Sequence, residues 1–130
     1  MKIRYVMALS VLAGAALGAA AVQGLHAQAK PPAYVIAEID VTDQEKFAKE
    51  FGPVAVKALA ENNSGYKAVA RGGKTVTIEG TPPKNRIVIN AFANLDAALA
   101  AYSSADYKQA RDIGNKYATF RIYATEGVAP

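Results

Sequence analysis

Beyond residue 29 the sequence contains no histidine, cysteine, methionine or tryptophan, and each absence closes a class of chemistry. Without imidazole or thiolate there is no Ser-His-Asp or Cys-His arrangement. Zinc, copper and haem sites lose nearly all of their usual ligands, with a tyrosine-held haem as the remaining exception, so neither a metal nor a cofactor is expected. Cysteine is absent from the whole chain, which removes disulfides and cysteine-linked lipid alike. There is no run of Lys or Arg, so nucleic acid is not an expected partner. Gly72-Gly73 is too short and wrongly placed for a phosphate loop. Carboxylate, tyrosine, arginine and lysine chemistry is what survives.

The N-terminus reads as an export signal. Lys2 and Arg4 form a basic start, an Ala/Leu/Val-rich run extends from Tyr5 to Val22, and Ala27-Gln28-Ala29 is a small-x-small cleavage site. The run approaches the ~20 residues that span a bilayer, but its weakly hydrophobic Ala and Gly and its cleavage site favour removal over a retained anchor. The expectation is a periplasmic or secreted protein beginning at Lys30, with no membrane attachment after cleavage, and a single domain over residues 30–130. The full chain carries 15 Lys+Arg against 11 Asp+Glu; without Lys2 and Arg4 the balance is 13 against 11, a net charge of +2. Much of the basic character therefore belongs to the signal.

Hydrophobic periodicity then switches in order along the chain. Tyr34 to Asp40 alternates and is rich in Val and Ile, which predicts a strand. Thr42-Asp43-Gln44-Glu45 has a capping-box pattern, followed by Phe47, Phe51, Val54, Ala58 and Leu59 at helical spacing. Pro53 predicts a kink at Gly52-Pro53, and Asn62-Asn63-Ser64-Gly65 suits a left-handed helix end. Tyr66 to Arg71 and Lys74 to Glu79 read as short strands around Gly72-Gly73. Thr81-Pro82-Pro83-Lys84-Asn85 reads as a loop, and Arg86 to Phe92 as an apolar, central strand. Asn94 caps a helix with Leu95, Ala98, Leu99 and Tyr102 on one face; Ser104 restarts it for Tyr107, Ala110 and Ile113. A last strand covers about Thr119 to Thr125.

This order is the α+β βαββαβ pattern of a ferredoxin-like sandwich, with an extra short strand before the central hairpin. Two helices cover one sheet face only. Alternation places Val35, Ala37, Ile39, Phe120, Ile122 and Ala124 towards the helices. It leaves Tyr34, Ile36, Glu38, Asp40, Arg121, Tyr123 and Thr125 on the open face, where Val88, Asn90 and Phe92 are expected to join them. Large apolar groups mixed with Glu38, Asn90, Arg121 and Tyr123 fit a homodimer interface that encloses a small polar-centred pocket.

Ala33-Tyr34-Val35-Ile36-Ala37-Glu38-Ile39-Asp40-Val41-Thr42-Asp43, Arg71-Gly72-Gly73-Lys74, Ile78-Glu79-Gly80, and Tyr102 followed at i+5 by Tyr107 together resemble the domain-of-unknown-function family numbered 1330, of the dimeric α/β-barrel superfamily. The resemblance spans nearly all of the chain after the signal. It implies a ferredoxin-like subunit whose sheet pairs face to face with its twin, and it implies no assigned reaction. An export signal where many relatives look cytoplasmic, and Thr81-Pro82-Pro83 in place of a frequent aromatic, depart from the family pattern, so a cytoplasmic role is not carried over.

The residues leave two function classes open. One is a non-catalytic exported dimer, either a binder of a small anionic or aromatic ligand or a structural, stress-related protein. The other is a cofactor-free enzyme, oxygenase- or isomerase-like, acting on a small aromatic or carboxylic substrate. For the second, Glu38 and Glu79 are the candidate proton acceptors, since a carboxylate needs only partial burial to become a base. Arg71, Arg121, Tyr123, Asn90 and Tyr107 are the candidate ligand contacts. Each has an ordinary alternative: Glu38 and Arg121 as a structural ion pair, Arg71 and Glu79 as solvated surface charges, and Tyr107 as core. No nucleophile, base and oxyanion site assemble from the sequence, which sets the binding reading ahead.

Overall fold

A computed structural model describes residues 30–130; the expected export signal, residues 1–29, lies outside them. Alternating apolar residues build β1 (Ala33–Val41), with Ala33, Val35, Ala37 and Ile39 buried. The helical path that follows starts as a short α1 (Gln44–Lys46), passes through a π-helical turn (Phe47–Phe51) and continues as α2 (Gly52–Ala60). β2 (Lys67–Arg71), β3 (Arg86–Phe92), α3 (Leu95–Ser103), α4 (Ala105–Gly114) and β4 (Ala118–Glu126) complete the order. The strands form one antiparallel sheet in the order β2-β3-β1-β4. With both helical layers on one face, this is the expected α+β ferredoxin-like arrangement.

Local chemistry accounts for most boundaries. Asn94 and Ser104 accept backbone N–H groups from Ala97 (2.9 Å) and Tyr107 (3.1 Å), capping α3 and α4. At the first helix the cap is Asp43, which accepts from Lys46 N–H at 3.1 Å, one residue later than the capping-box pattern suggested. Thr42 instead donates its hydroxyl to the Tyr117 carbonyl at 2.9 Å, tying β1 to the start of β4. Asn62, Asn63 and Gly65 all take positive φ after α2, as the turn chemistry predicted.

Four expectations are corrected. The path over Gly52-Pro53 is relieved by the π turn, in which the Gly52 N–H donates to the Phe47 carbonyl. Pro53 has no N–H, so it sits at the start of α2, where none is needed. The π turn adds one residue to the helical path, which puts Ala55 rather than Val54 on the buried face, while Ala58 and Leu59 are buried as expected. On α3, likewise, Ala98 and Ala101 are buried while Leu99 is exposed.

The strand expected over Lys74–Glu79 does not form. Its β-branched residues suit a strand locally, but among the described residues the segment pairs with no strand, and the outer edge of β2 stays unpaired. Residues 72–85 form an arm outside the sheet, with Val76 and Ile78 exposed. Its base is fixed by Gly72 N–H to the Ile87 carbonyl at 2.8 Å, and by Lys84 and Asn85 bonds to the Glu38 and Asp40 carboxylates.

The fourth correction is the facing of β3. Directly opposed residues of an antiparallel pair share a face. Val88 pairs with Ala37, Asn90 with Val35 and Phe92 with Ala33, so all three point to the helices rather than to the open face. Phe92 is almost fully buried, between Tyr66 and Tyr102. The open face receives Ile87, Ile89 and Ala91 instead, opposite Glu38, Ile36 and Tyr34.

Candidate functional site

The core is incompletely filled between the sheet and the first helical path. A cavity of about 470 Å³ lies there, within the range of small-molecule sites. It lies on the helix side of the sheet, not between two sheets as the sequence suggested. Phe47, Phe51, Ala55, Val56 and Leu59 form one wall and Ala37, Ile39, Val88 and Phe120 the sheet wall. Small alanines on α2 and β1 are what keep the space open.

Polar groups enter this apolar space at defined points. Arg86, Val88 and Asn90 alternate along β3 and all line the cavity. Asn90 is only 4% exposed. Its amide N–H donates to the Tyr102 hydroxyl at 3.0 Å, while its Oδ1 has no protein partner. Tyr102 and Tyr107 stack edge to face, with centroids 4.6 Å apart, and both line the cavity. Burial pushes the Tyr102 hydroxyl up to about 12, against the smaller opposing effect of the Asn90 bond. Burial, followed by the proximity of Tyr102, raises Tyr107 as well. Both phenols therefore stay protonated at neutral pH and serve as hydrogen-bonding groups rather than bases.

Two arginines supply positive charge. Arg86 is half-buried, its guanidinium 5.7 Å from the Phe47 ring centre, and its Nε is buried without an acceptor. Gly72, at φ +67, makes room for it, since a Cβ there would collide with the guanidinium. Arg71 reaches the cavity because of a bulge in β2. Ala68 pairs with Asn90, but Ala70 pairs with Ile89 and Arg71 with Val88. The extra residue, Val69, thus turns Arg71 to the helix side. There its guanidinium donates to the Tyr66 hydroxyl at 2.8 Å. Among the described residues neither arginine has an ion-pair partner, and no Asp, Glu, His or Cys lines the cavity.

The structure thus brings Arg71, Asn90 and Tyr107 together and separates the remaining candidates from them. Glu38 and Arg121 face the opposite side of the sheet, where they form an ion pair, with Lys84 N–H also donating to Glu38. Tyr123 lies beside Arg121 on that face, its ring 5.0 Å from the guanidinium. Glu79 is exposed on the arm. Arg86, Tyr66 and the cavity-lining role of Tyr102 escaped the sequence reading. The signal for Arg86 was its parity with Val88 and Asn90, but that parity was assigned to the wrong face. Among the described residues no group of His, Cys, Asp or Glu is arranged to hold a metal ion, and no helix is long and apolar enough to cross a membrane.

Similarity to known proteins follows the same geometry. A protein of unknown function from Rhodopseudomonas palustris superposes with a TM-score of 0.51 at 13% identity, covering 78% of this chain and 85% of that one. The cofactor-independent oxygenase SnoaB from Streptomyces nogalater gives 0.52 at 13% identity over 77% of this chain and 96% of its own. A candidate antibiotic biosynthesis monooxygenase from Caulobacter crescentus gives 0.52 at 18% identity, with coverages of 77% and 92%. At these identities the likeness is one of fold. No curated protein matches the chain at a significant level. The model of the family described as a domain of unknown function (DUF1330) matches residues 32–128, and the chain belongs to that family.

Proposed function

We propose that this protein is an exported homodimer that binds a small, largely apolar organic anion in the cavity of each subunit, without converting it. The observation that carries the reading is the pair of arginines, Arg71 and Arg86, lining an apolar-walled cavity with no carboxylate to neutralise them. A cation beside apolar walls is costly unless it is paired, and an anionic ligand supplies the missing charge. Against catalysis stand the protonated state of Tyr102 and Tyr107 and the location of Glu38 and Glu79 away from the cavity. The enzyme alternative is confined to a substrate that ionises without a protein base, whose anion the two arginines would stabilise.

Dimerisation through the open face is supported by its composition. Tyr34, Ile36, Ile87, Ile89, Ala91 and Tyr123 share that face around the Glu38–Arg121 pair, and isologous two-fold pairing is the commonest way to cover such a patch. Export is supported by the basic start, apolar run and Ala27-Gln28-Ala29 site.

The test of the cavity is calorimetric titration with 2-naphthoate, an apolar anion small enough for the space. Wild-type protein should bind one equivalent per subunit. Val88→Trp, which fills the cavity from the sheet side, should abolish binding while near-ultraviolet circular dichroism shows a folded protein. No saturable binding to wild type, or unchanged binding to folded Val88→Trp, would overturn the reading.

A further inference from the structure

Resting on that reading, we infer that the ligand is a hydroxylated aromatic carboxylic acid with its hydroxyl and carboxylate at opposite ends. The cavity is polarised along β3. Arg86 and Asn90 are four residues apart on one strand face, a backbone separation of ~13 Å at about 3.3 Å per residue, with Val88 between them. Arg71 pairs with Val88 on the neighbouring strand and is exposed. Arg71 thus stands beside the middle of the cavity on its exposed side and next to Arg86, so the arginines mark the mouth, and Asn90, 4% exposed, marks the enclosed end.

Asn90 specifies what the enclosed end accepts. Its Oδ1 is buried and unpartnered, and it requires a donor. The Tyr102 hydroxyl oxygen already accepts from the Asn90 amide, so its own proton is directed to another acceptor. A group that meets both demands must donate and accept at once, and a hydroxyl does so. A second carboxylate at this end would place a charge against the Asn90 carbonyl oxygen and is disfavoured; a methyl or ring edge would leave Oδ1 without its bond. Between the ends, Phe47, Phe51, Phe120, Tyr66 and Tyr107 offer ring faces and edges suited to an aromatic spacer. The carboxylate then meets Arg71 and Arg86, whose planar forks match its geometry.

Three probes with one rigid spacer separate the contributions: 6-hydroxy-2-naphthoate has both groups, 2-naphthoate lacks the hydroxyl, and 2-naphthol lacks the carboxylate. Titration of the purified protein should give an affinity for 6-hydroxy-2-naphthoate at least ten-fold above either of the others. Asn90→Leu should erase the advantage over 2-naphthoate alone, and Arg86→Met the advantage over 2-naphthol alone. Tyr102→Phe, which keeps the ring and removes the donor, replaces Asn90→Leu if that variant does not fold. Equal affinities for the two acids, or an advantage that survives both Asn90→Leu and Tyr102→Phe, would overturn the inference while leaving anion binding in place. Failure of all three probes to bind would overturn the anion-binding reading itself.

Discussion

Asn90 sits where a core residue would be apolar, and replacing it separates a structural role from a recognition role. Asn90→Leu keeps nearly the same volume, so the cavity term of a large-to-small substitution is small. The substitution removes the 3.0 Å bond to the Tyr102 hydroxyl, worth about 0.5–1.5 kcal/mol net. It also removes a buried Oδ1 that has no protein partner, and such a group costs about 1–3 kcal/mol if it is dry. Water in the cavity would shrink that gain towards zero, which bounds the outcome. Ligand-free Asn90→Leu should range from ~1.5 kcal/mol less stable to ~2.5 kcal/mol more stable than wild type. At about 4–8 °C per kcal/mol for a domain of this size, the melting temperature should fall by no more than about 10 °C and is free to rise. Differential scanning calorimetry checks it. A loss of 3 kcal/mol or more would mean that Asn90 is held by a satisfied structural network and that its free oxygen is not a recognition element.

Ile89→Glu should shift sedimentation from dimer to monomer at micromolar concentration, because Ile89 faces outward opposite Ile36 and an unpaired charge buried in an interface costs several kcal/mol; a wild-type monomer would refute the interface. Phe92, earlier expected on that face, is core, and a charge there would unfold the subunit instead. The Asp40 carboxyl is held below its ordinary value by the Lys84 ammonium and by Asn85 N–H, so its contribution is present above about pH 4 and fades as pH falls through the lowered value. The difference in urea midpoint between wild type and Asp40→Asn should therefore shrink below pH 4, and a constant difference would refute the assignment. Intact-mass analysis of exported protein should show a chain starting at Lys30; retention of residues 1–29 in most molecules would refute processing.

Strand order, helix caps and the left-handed turn at Asn62-Asn63 were legible because each depends on a few neighbouring residues. The failures have a common physical form, in which a one-residue offset reverses a face. The π turn at Phe47–Phe51 replaces Val54 by Ala55 on the buried face of α2, and nothing in local periodicity marks it except Pro53. On β3 both alternate sets, Ile87-Ile89-Ala91 and Val88-Asn90-Phe92, contain apolar residues, so alternation alone does not choose between faces. The choice is made by cross-strand partners, which placed Asn90 at the cavity while leaving Glu38, Arg121 and Tyr123 behind the sheet. Lys74–Glu79 failed for a different reason: strand propensity does not make a strand unless the chain folds back onto an edge, and after Gly72 it leads away from the free edge of β2.

The bulge in β2 links these offsets to recognition. With regular alternation from Ala68, Ala70 would face the helices and Arg71 would face away from the cavity; Val69 restores Arg71 to the cavity side opposite Val88. Bulging out this one residue, exposed and contributing little to the core, thus keeps Arg71 on the cavity side. Deleting Val69 removes the bulge and leaves Ala70 opposite Ile89 and Arg71 opposite Val88 in a regular ladder, so the sheet, the dimer and 2-naphthoate affinity should all be retained, whereas Arg71→Met should weaken binding. A loss in the deletion variant as large as that of Arg71→Met would mean that the bulged backbone itself, and not the register of Arg71 against Val88, carries the guanidinium to the ligand.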